Sequence, residues 1–120
     1  MGMAPLAIFL RSQGHTVYGA DDYENPRVAK RLVGAGVKML RHNHALPQID
    51  EVVVSRALDH DPKRMAEIRR KLPGRKISYR GDFLGGICKR FRTVAVAGSH
   101  GKTGTTAALI HALKSNGVPI

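Results

Sequence analysis

The run from Thr93 to Thr106, Thr-Val-Ala-Val-Ala-Gly-Ser-His-Gly-Lys-Thr-Gly-Thr-Thr, restricts the fold of this chain more than any other stretch. A short apolar, β-branched segment stops at Gly98, turns through small residues, and enters a helical pattern at Lys102-Thr103. Strand, glycine-bearing loop and helix start in that order form a phosphate cradle. Glycines let the backbone approach a polyphosphate closely, and the loop amides and helix dipole favour negative charge. In this reading the candidate nucleotide-contacting residues are Gly98, Ser99, His100, Gly101, Lys102, Thr103, Gly104 and Thr105. Lys102 would reach the β- and γ-phosphates of a bound polyphosphate, and the Thr103 hydroxyl would ligate Mg²⁺.

The loop is shorter than the common P-loop, which has four residues between its first glycine and the Gly-Lys pair and would need that glycine at Val96. A tight strand-to-helix turn with a chance Gly-Lys-Thr is the competing reading. The strand before, the helix after and the lysine at the helix start together favour phosphate binding. His100 is expected to orient the loop or touch phosphate, not to act as a base. Ser99, Thr105 and Thr106 are expected as N-cap and first-turn hydroxyls.

At 120 residues the chain is long enough for one domain with a core of its own and short for two. Hydrophobic residues make up 42% and charged residues 24%, a globular balance, and no apolar run approaches bilayer-spanning length. The start, Met1-Gly2-Met3-Ala4-Pro5, has no secretory pattern, and the single cysteine, Cys88, suits a reducing compartment, so a cytoplasmic location is expected. The net charge of +11 and pI near 10.6 invite a nucleic-acid reading, with Arg69-Arg70-Lys71, Arg75-Lys76 and Lys89-Arg90-Phe91-Arg92 carrying much of the excess. Only 5% of residues are aromatic, and these cations sit at helix ends and turns. A nucleic-acid partner is therefore not expected. A field suited to a phosphorylated, carboxylated substrate, or a merely solubilising surface, accounts for the charge as well.

Periodicity predicts helix over 4–13, strand over 15–20, helix from Pro26 to the Gly34/Gly36 stop and strand over 37–40. It continues with strand over 52–55, helix from Pro62 to Lys71, strand over 76–79, helix from Asp82 to about Lys89, and strand over 93–97. Such alternation builds a parallel α/β sheet flanked by helices. The best boundary lies at Arg90-Phe91-Arg92, and the chain opens on a helix where an α/β unit normally opens on a strand.

The Gly-Ser-His-Gly-Lys-Thr loop after Ala95-Val96-Ala97 resembles the Mur ligases, whose form is Gly-Thr-His-Gly-Lys-Thr-Thr-Thr-Thr. Ser99 keeps the hydroxyl of the threonine it replaces, and Gly104 loosens the first helical turn by about 1 kcal/mol. The likeness runs along essentially the whole chain. Gly2-Met3-Ala4 matches the tail of the family's glycine-rich first turn, and Gly19-Ala20-Asp21 through Glu24-Asn25-Pro26 its Gly-Ser-Asp…Glu-Asn-Pro segment. Leu40-Arg41-His42 lies where the family has Gly-His, Val52-Val53-Val54-Ser55 where it has Val-Val-Val-Ser, and Arg80-Gly81-Asp82-Phe83-Leu84 where it has Arg-Ala-Glu-Met-Leu.

The resemblance implies a Rossmann-like UDP-binding domain over 1–92, its first strand missing, and over 93–120 the opening strand, P-loop and helix of a central ATPase domain. It implies substrate contacts at Gly2, Met3, Asp21, His42 and Ser55; from the residues alone, a capping Asp21 and plain loop roles for His42 and Ser55 stand equally open. His42 and His44 lack a third ligand at zinc-like spacing. In the alanine-adding branch, ATP phosphorylates the carboxylate of UDP-N-acetylmuramate and the amino group of L-alanine displaces phosphate. The branch that attaches a tripeptide to recycled muramic acid has a similar loop, as do folylpolyglutamate synthases; Gly2-Met3-Ala4 and Glu24-Asn25-Pro26 favour the alanine-adding branch. A small basic module binding nucleotide or nucleic acid without chemistry is the reading from another class. The rest of the central domain and the amino-acid-bringing domain lie outside these residues, so the chain is expected to be a fragment inactive by itself. One structural expectation follows: the 93–97 strand fills the gap left by the missing first strand, pairing with 16–20 or 52–55, and without such repair exposed sheet edges favour aggregation.

Overall fold

The computed structural model describes residues 2–20, 25–40 and 47–120. They divide into two compact units, Met1–Ile87 and Cys88–Ile120.

The first unit alternates helix and strand. Helix α1 (Met3–Ser12) carries Pro5 in its first turn, where a missing N–H costs nothing, and buries Leu6. Strand β1 (Tyr18–Gly19) leads to α2 (Pro26–Gly34) and β2 (Lys38–Met39), then β3 (Glu51–Val54). A 3₁₀ turn (Arg56–His60) precedes α3 (Pro62–Lys71), β4 (Lys76–Tyr79) and α4 (Arg80–Cys88). α2 and α3 start alike. The Asn25 side chain accepts from the amides of Arg27 at 3.1 Å and Val28 at 3.3 Å, and the Asp61 carboxylate from that of Arg64 at 2.9 Å, each with proline next in the chain.

Helices α1 and α2 also end alike. Gly14 (φ 88°) and Gly36 (φ 82°) take the left-handed conformation just past the helix, which an L side chain resists. The amides that follow fold back: His15 donates to the Leu10 carbonyl at 3.1 Å and Val37 to that of Leu32 at 3.0 Å. Val37 and Leu32 are both buried, at 3% and 8% exposure, so this reversal doubles as a core contact and delivers the chain directly into β2.

Pairing is parallel throughout, as predicted. Tyr18 and Gly19 face Lys38 and Met39; Glu51, Val52, Val53 and Val54 face Lys76, Ile77, Ser78 and Tyr79. One expectation is corrected here: among the described residues these are two separate two-stranded ladders, not one sheet. Among the described residues the buried core is correspondingly small, made of Leu6, Leu32, Val37 and Val54. Met65, Ile68 and Leu72, the apolar face of α3, are half-buried.

The second unit holds helix α5 (Lys102–Ser115), which ends at Gly117 (φ 70°) with the Val118 amide donating to the Leu113 carbonyl at 3.0 Å. The predicted strand over 93–97 is absent: these residues belong to neither ladder, and the proposed repair of the first sheet by this run is overturned. A β-branched apolar run becomes a strand only with a ladder partner for its N–H and C=O groups, and Val94 stands 69% exposed. At its start the Thr93 hydroxyl donates to the carbonyl of Cys88 at 3.0 Å, within reach also of that of Phe91 at 3.2 Å. No described helix is long and apolar enough to cross a membrane.

Candidate functional site

The loop between the 93–97 run and α5 is shaped by two glycines. Gly98 (φ 149°) and Gly101 (φ 75°) both adopt positive φ, and Gly101 is the residue from which α5 starts. The sequence-based assignment of Ser99 as an N-cap is therefore corrected: a left-handed glycine occupies the cap and no side chain claims the first-turn amides. This follows from local sterics, because the chain must reverse within Ser99-His100-Gly101 and only glycine turns there without strain.

Lys102, the first residue of the helix, folds back over the loop and donates to the Gly98 carbonyl at 2.6 Å and to that of Ser99 at 3.0 Å. The ammonium thus lies inside the turn that the two glycines make. Thr106 is spoken for, since its hydroxyl donates to the Lys102 carbonyl at 2.8 Å along the helix. Ser99, His100, Thr103, Gly104 and Thr105 all lie on the exposed surface around the helix start. A Thr103 hydroxyl beside free first-turn amides and a lysine suits a magnesium–triphosphate complex, in which phosphate oxygens and water supply most of the metal's ligands. No group of three or more metal-ligating side chains exists among the described residues.

A second constellation lies in the other unit, at the carboxyl ends of β3 and β4, the edge where parallel sheets bind ligands. Ser55 follows β3; its hydroxyl accepts from the Ala57 amide at 3.3 Å and so caps the 3₁₀ turn. That turn is clamped to β4: the Tyr79 hydroxyl donates to the Asp59 carboxylate at 2.5 Å, and the Arg56 guanidinium stacks 4.8 Å over the Tyr79 ring while sitting 3.6 Å from Asp59. Its hydrogen bond to Asp59 raises the Tyr79 phenol above its ordinary range. Lower on the same ladder, burial alone would raise Glu51, but hydrogen bonds from Lys76 at 2.8 Å and Ser78 at 2.5 Å outweigh it and hold the carboxyl below its usual value.

Gly2, at the start of α1, meets this edge directly: a Cβ built there would lie 3.1 Å from the Arg80 Nε, 2.6 Å from its Cζ and closer still to Nη1. Gly2 and Arg80 are thereby brought together, and Met3 beside Gly2 is half-buried. Asp21 and His42, the other two residues assigned to substrate from sequence, lie outside the described residues, as does His44. Sequence reasoning quoted Arg80 only within the family-like run 80–84, with no site role, and did not find the Arg56–Asp59–Tyr79 clamp. The signal for Arg80 was its place directly after a strand, but the contact with Gly2 is made across the fold.

The comparisons bear on both constellations. The model of the Mur ligase family, catalytic domain, matches residues 1–92, ending just before the 93–97 run. The chain is 36% identical, over 117 residues and 95% of its length, to UDP-N-acetylmuramate–L-alanine ligases of Streptococcus pyogenes serotypes M5, M49 and M3. It spans 26% of the length of those relatives. No solved structure matches the chain. With the family model covering most of the chain and the parallel α/β units in place, the chain belongs to the Mur ligase family.

Proposed function

We propose that this chain carries the substrate-binding unit and the phosphate loop of an ATP-dependent amide ligase that joins L-alanine to UDP-N-acetylmuramate in peptidoglycan precursor synthesis. The observation that carries the reading is the identity to ligases of that name along nearly the whole chain, including the Gly98–Thr106 loop. The relatives' name favours the alanine-adding branch over the recycling branch and the folate enzymes.

In this reading residues 1–92 hold the UDP moiety, through Gly2, Met3, Asp21, His42 and Ser55, and residues 93–120 open the ATP-binding domain. The border after Arg92 rests on the apolar run that begins at Thr93; the division into compact units falls slightly earlier, at the end of α4. Gly98, Ser99, His100, Gly101, Gly104 and Thr105 surround the ATP phosphates, Thr103 ligates Mg²⁺, and Lys102 exchanges its loop carbonyls for phosphate oxygens. The γ-phosphoryl group passes to the substrate carboxylate with loss of ADP, and the alanine amine then forms the amide with loss of phosphate. Lys102 stabilises charge on the transferring group. The chain is a quarter of such an enzyme and is not proposed to turn over by itself.

Titration of magnesium–ATP and of UDP-N-acetylmuramate into the chain tests this. Saturable binding of both is expected, with Lys102→Ala removing the first and sparing the second. Failure of both to bind, together with steeply salt-dependent binding of unrelated DNA, would replace the ligase reading with that of a basic nucleic-acid module.

A further inference from the structure

Helix α4 holds Gly81, Gly85 and Gly86 within nine residues, the last two adjacent. None of the three has a positive φ, and a Cβ built on any of them meets nothing within 4 Å. Neither backbone conformation nor a close neighbour among the described residues therefore requires glycine there. What the three do is weaken the helix, because each has more backbone freedom to lose on ordering than alanine would. The surroundings do not compensate. α4 buries none of its residues, and among the described residues no side-chain hydrogen bond or ion pair braces it. α2, also nine residues long, is capped by Asn25 and buries Leu32. Poor propensity with few buried contacts marks a segment that opens locally while the rest of the molecule stays folded. The last turn of α4 also crosses the border between the two units, which falls between Ile87 and Cys88.

We infer that the Gly85-Gly86 pair makes the end of α4 a joint, a stretch that unwinds and reforms and so lets the second unit turn while both units keep their folds. Such a joint needs a few residues able to absorb a large change of φ and ψ, and adjacent glycines absorb it with the least restriction. Thr93 supplies the catch. Its hydroxyl donates at 3.0 Å to the carbonyl of Cys88, one of the terminal carbonyls that have no partner inside the helix, and so holds the wound form. The inference uses the division into units and the geometry of α4, and stands apart from the ligase reading.

Amide hydrogen exchange of the full chain, followed by NMR, tests the joint. Amides 84–88 should exchange at least about tenfold faster than amides 30–34 of α2. Gly85→Ala and Gly86→Ala should each slow them by about fivefold, and the double variant by about twentyfold, as helix propensity implies, with α2 unchanged. Thr93→Val should speed them by about two- to tenfold, the range for one neutral hydrogen bond. Nitrogen-15 relaxation should give the two units separate tumbling times in the native chain and more nearly equal ones in the double variant. Exchange at 84–88 as slow as at 30–34, or unmoved by the double substitution, overturns the joint. Slowing of α2 and α4 alike would make the glycines a matter of global stability and overturns it too. One common tumbling time in the native chain overturns the turning of the second unit.

Discussion

The ammonium of Lys102 rests on the carbonyl of Gly98, 2.6 Å away, and 3.0 Å from that of Ser99. The cation that the sequence assigns to phosphate is also an internal tie of its own loop. Two carbonyls and one lysine thus join the two ends of a small glycine-rich turn.

Lys102→Ala should therefore act twice. It should weaken magnesium–ATP binding by at least about tenfold, as loss of a charge-assisted contact implies. In the nucleotide-free chain it should also speed hydrogen exchange at the amides of 98–101. Exchange unchanged by the substitution would show that the tie does not order the loop.

Gly14 and Gly36 share a positive φ but not their surroundings. A Cβ at Gly14 meets nothing, whereas at Gly36 it would lie 3.2 Å from Nε and Nη2 of Arg11, whose Nη1 donates to the His15 carbonyl at 2.7 Å. Alanine at either position incurs the left-handed penalty, about 1–2 kcal/mol. Gly36→Ala should cost more than Gly14→Ala, because the Arg11 guanidinium must also move. Urea unfolding of both variants measures the difference, and equal costs would mean that Arg11 yields freely.

Glu67 lies between Lys71, 2.6 Å away, and Arg64, 2.8 Å away, on consecutive turns of α3. Hydrogen bonds from Lys71 first and Arg64 second bring its pKa down from 4.5 to about 2. Because the folded-state value is the lower one, the stabilisation is fully present above pH 4.5 and is lost as pH falls towards 2. Acid titration of helical circular dichroism should show a loss in this window that Glu67→Gln reduces. The effect should be small, since the pair is at the surface and screened by salt.

The run 93–97 carries exposed apolar groups with no ladder partner among the described residues, and Val94 is 69% exposed. Such a segment pairs readily with a second copy. Val94→Asp should lower light scattering of concentrated chain without changing the urea midpoint of the first unit. Scattering unaffected by the charge would place the self-association elsewhere.

The helices were legible because their signals are local. Asn25-Pro26 and Asp61-Pro62 start helices, and Gly14, Gly36 and Gly117 stop them, through bonds spanning only a few residues. Parallel alternation followed from the same spacing, and the position of Lys102 at a helix start was written in the loop. The strand over 93–97 was misread because apolar, β-branched composition describes a strand's willingness to pair, and pairing needs a partner that composition does not name. The N-cap at Ser99 was misread because two glycines together admit a left-handed turn that hydroxyl preference alone does not foresee.

What the sequence by itself determined is the set of local elements, the phosphate-loop pattern and the family likeness, all carried by neighbouring residues in order. Only the tertiary structure decided that Tyr79 and Arg56 clamp the turn after β3, and that the guanidinium of Arg80 comes to rest on Gly2. Those contacts join residues far apart in the chain, and the clamp exists because β3 and β4 pair in parallel and bring their carboxyl ends to one edge.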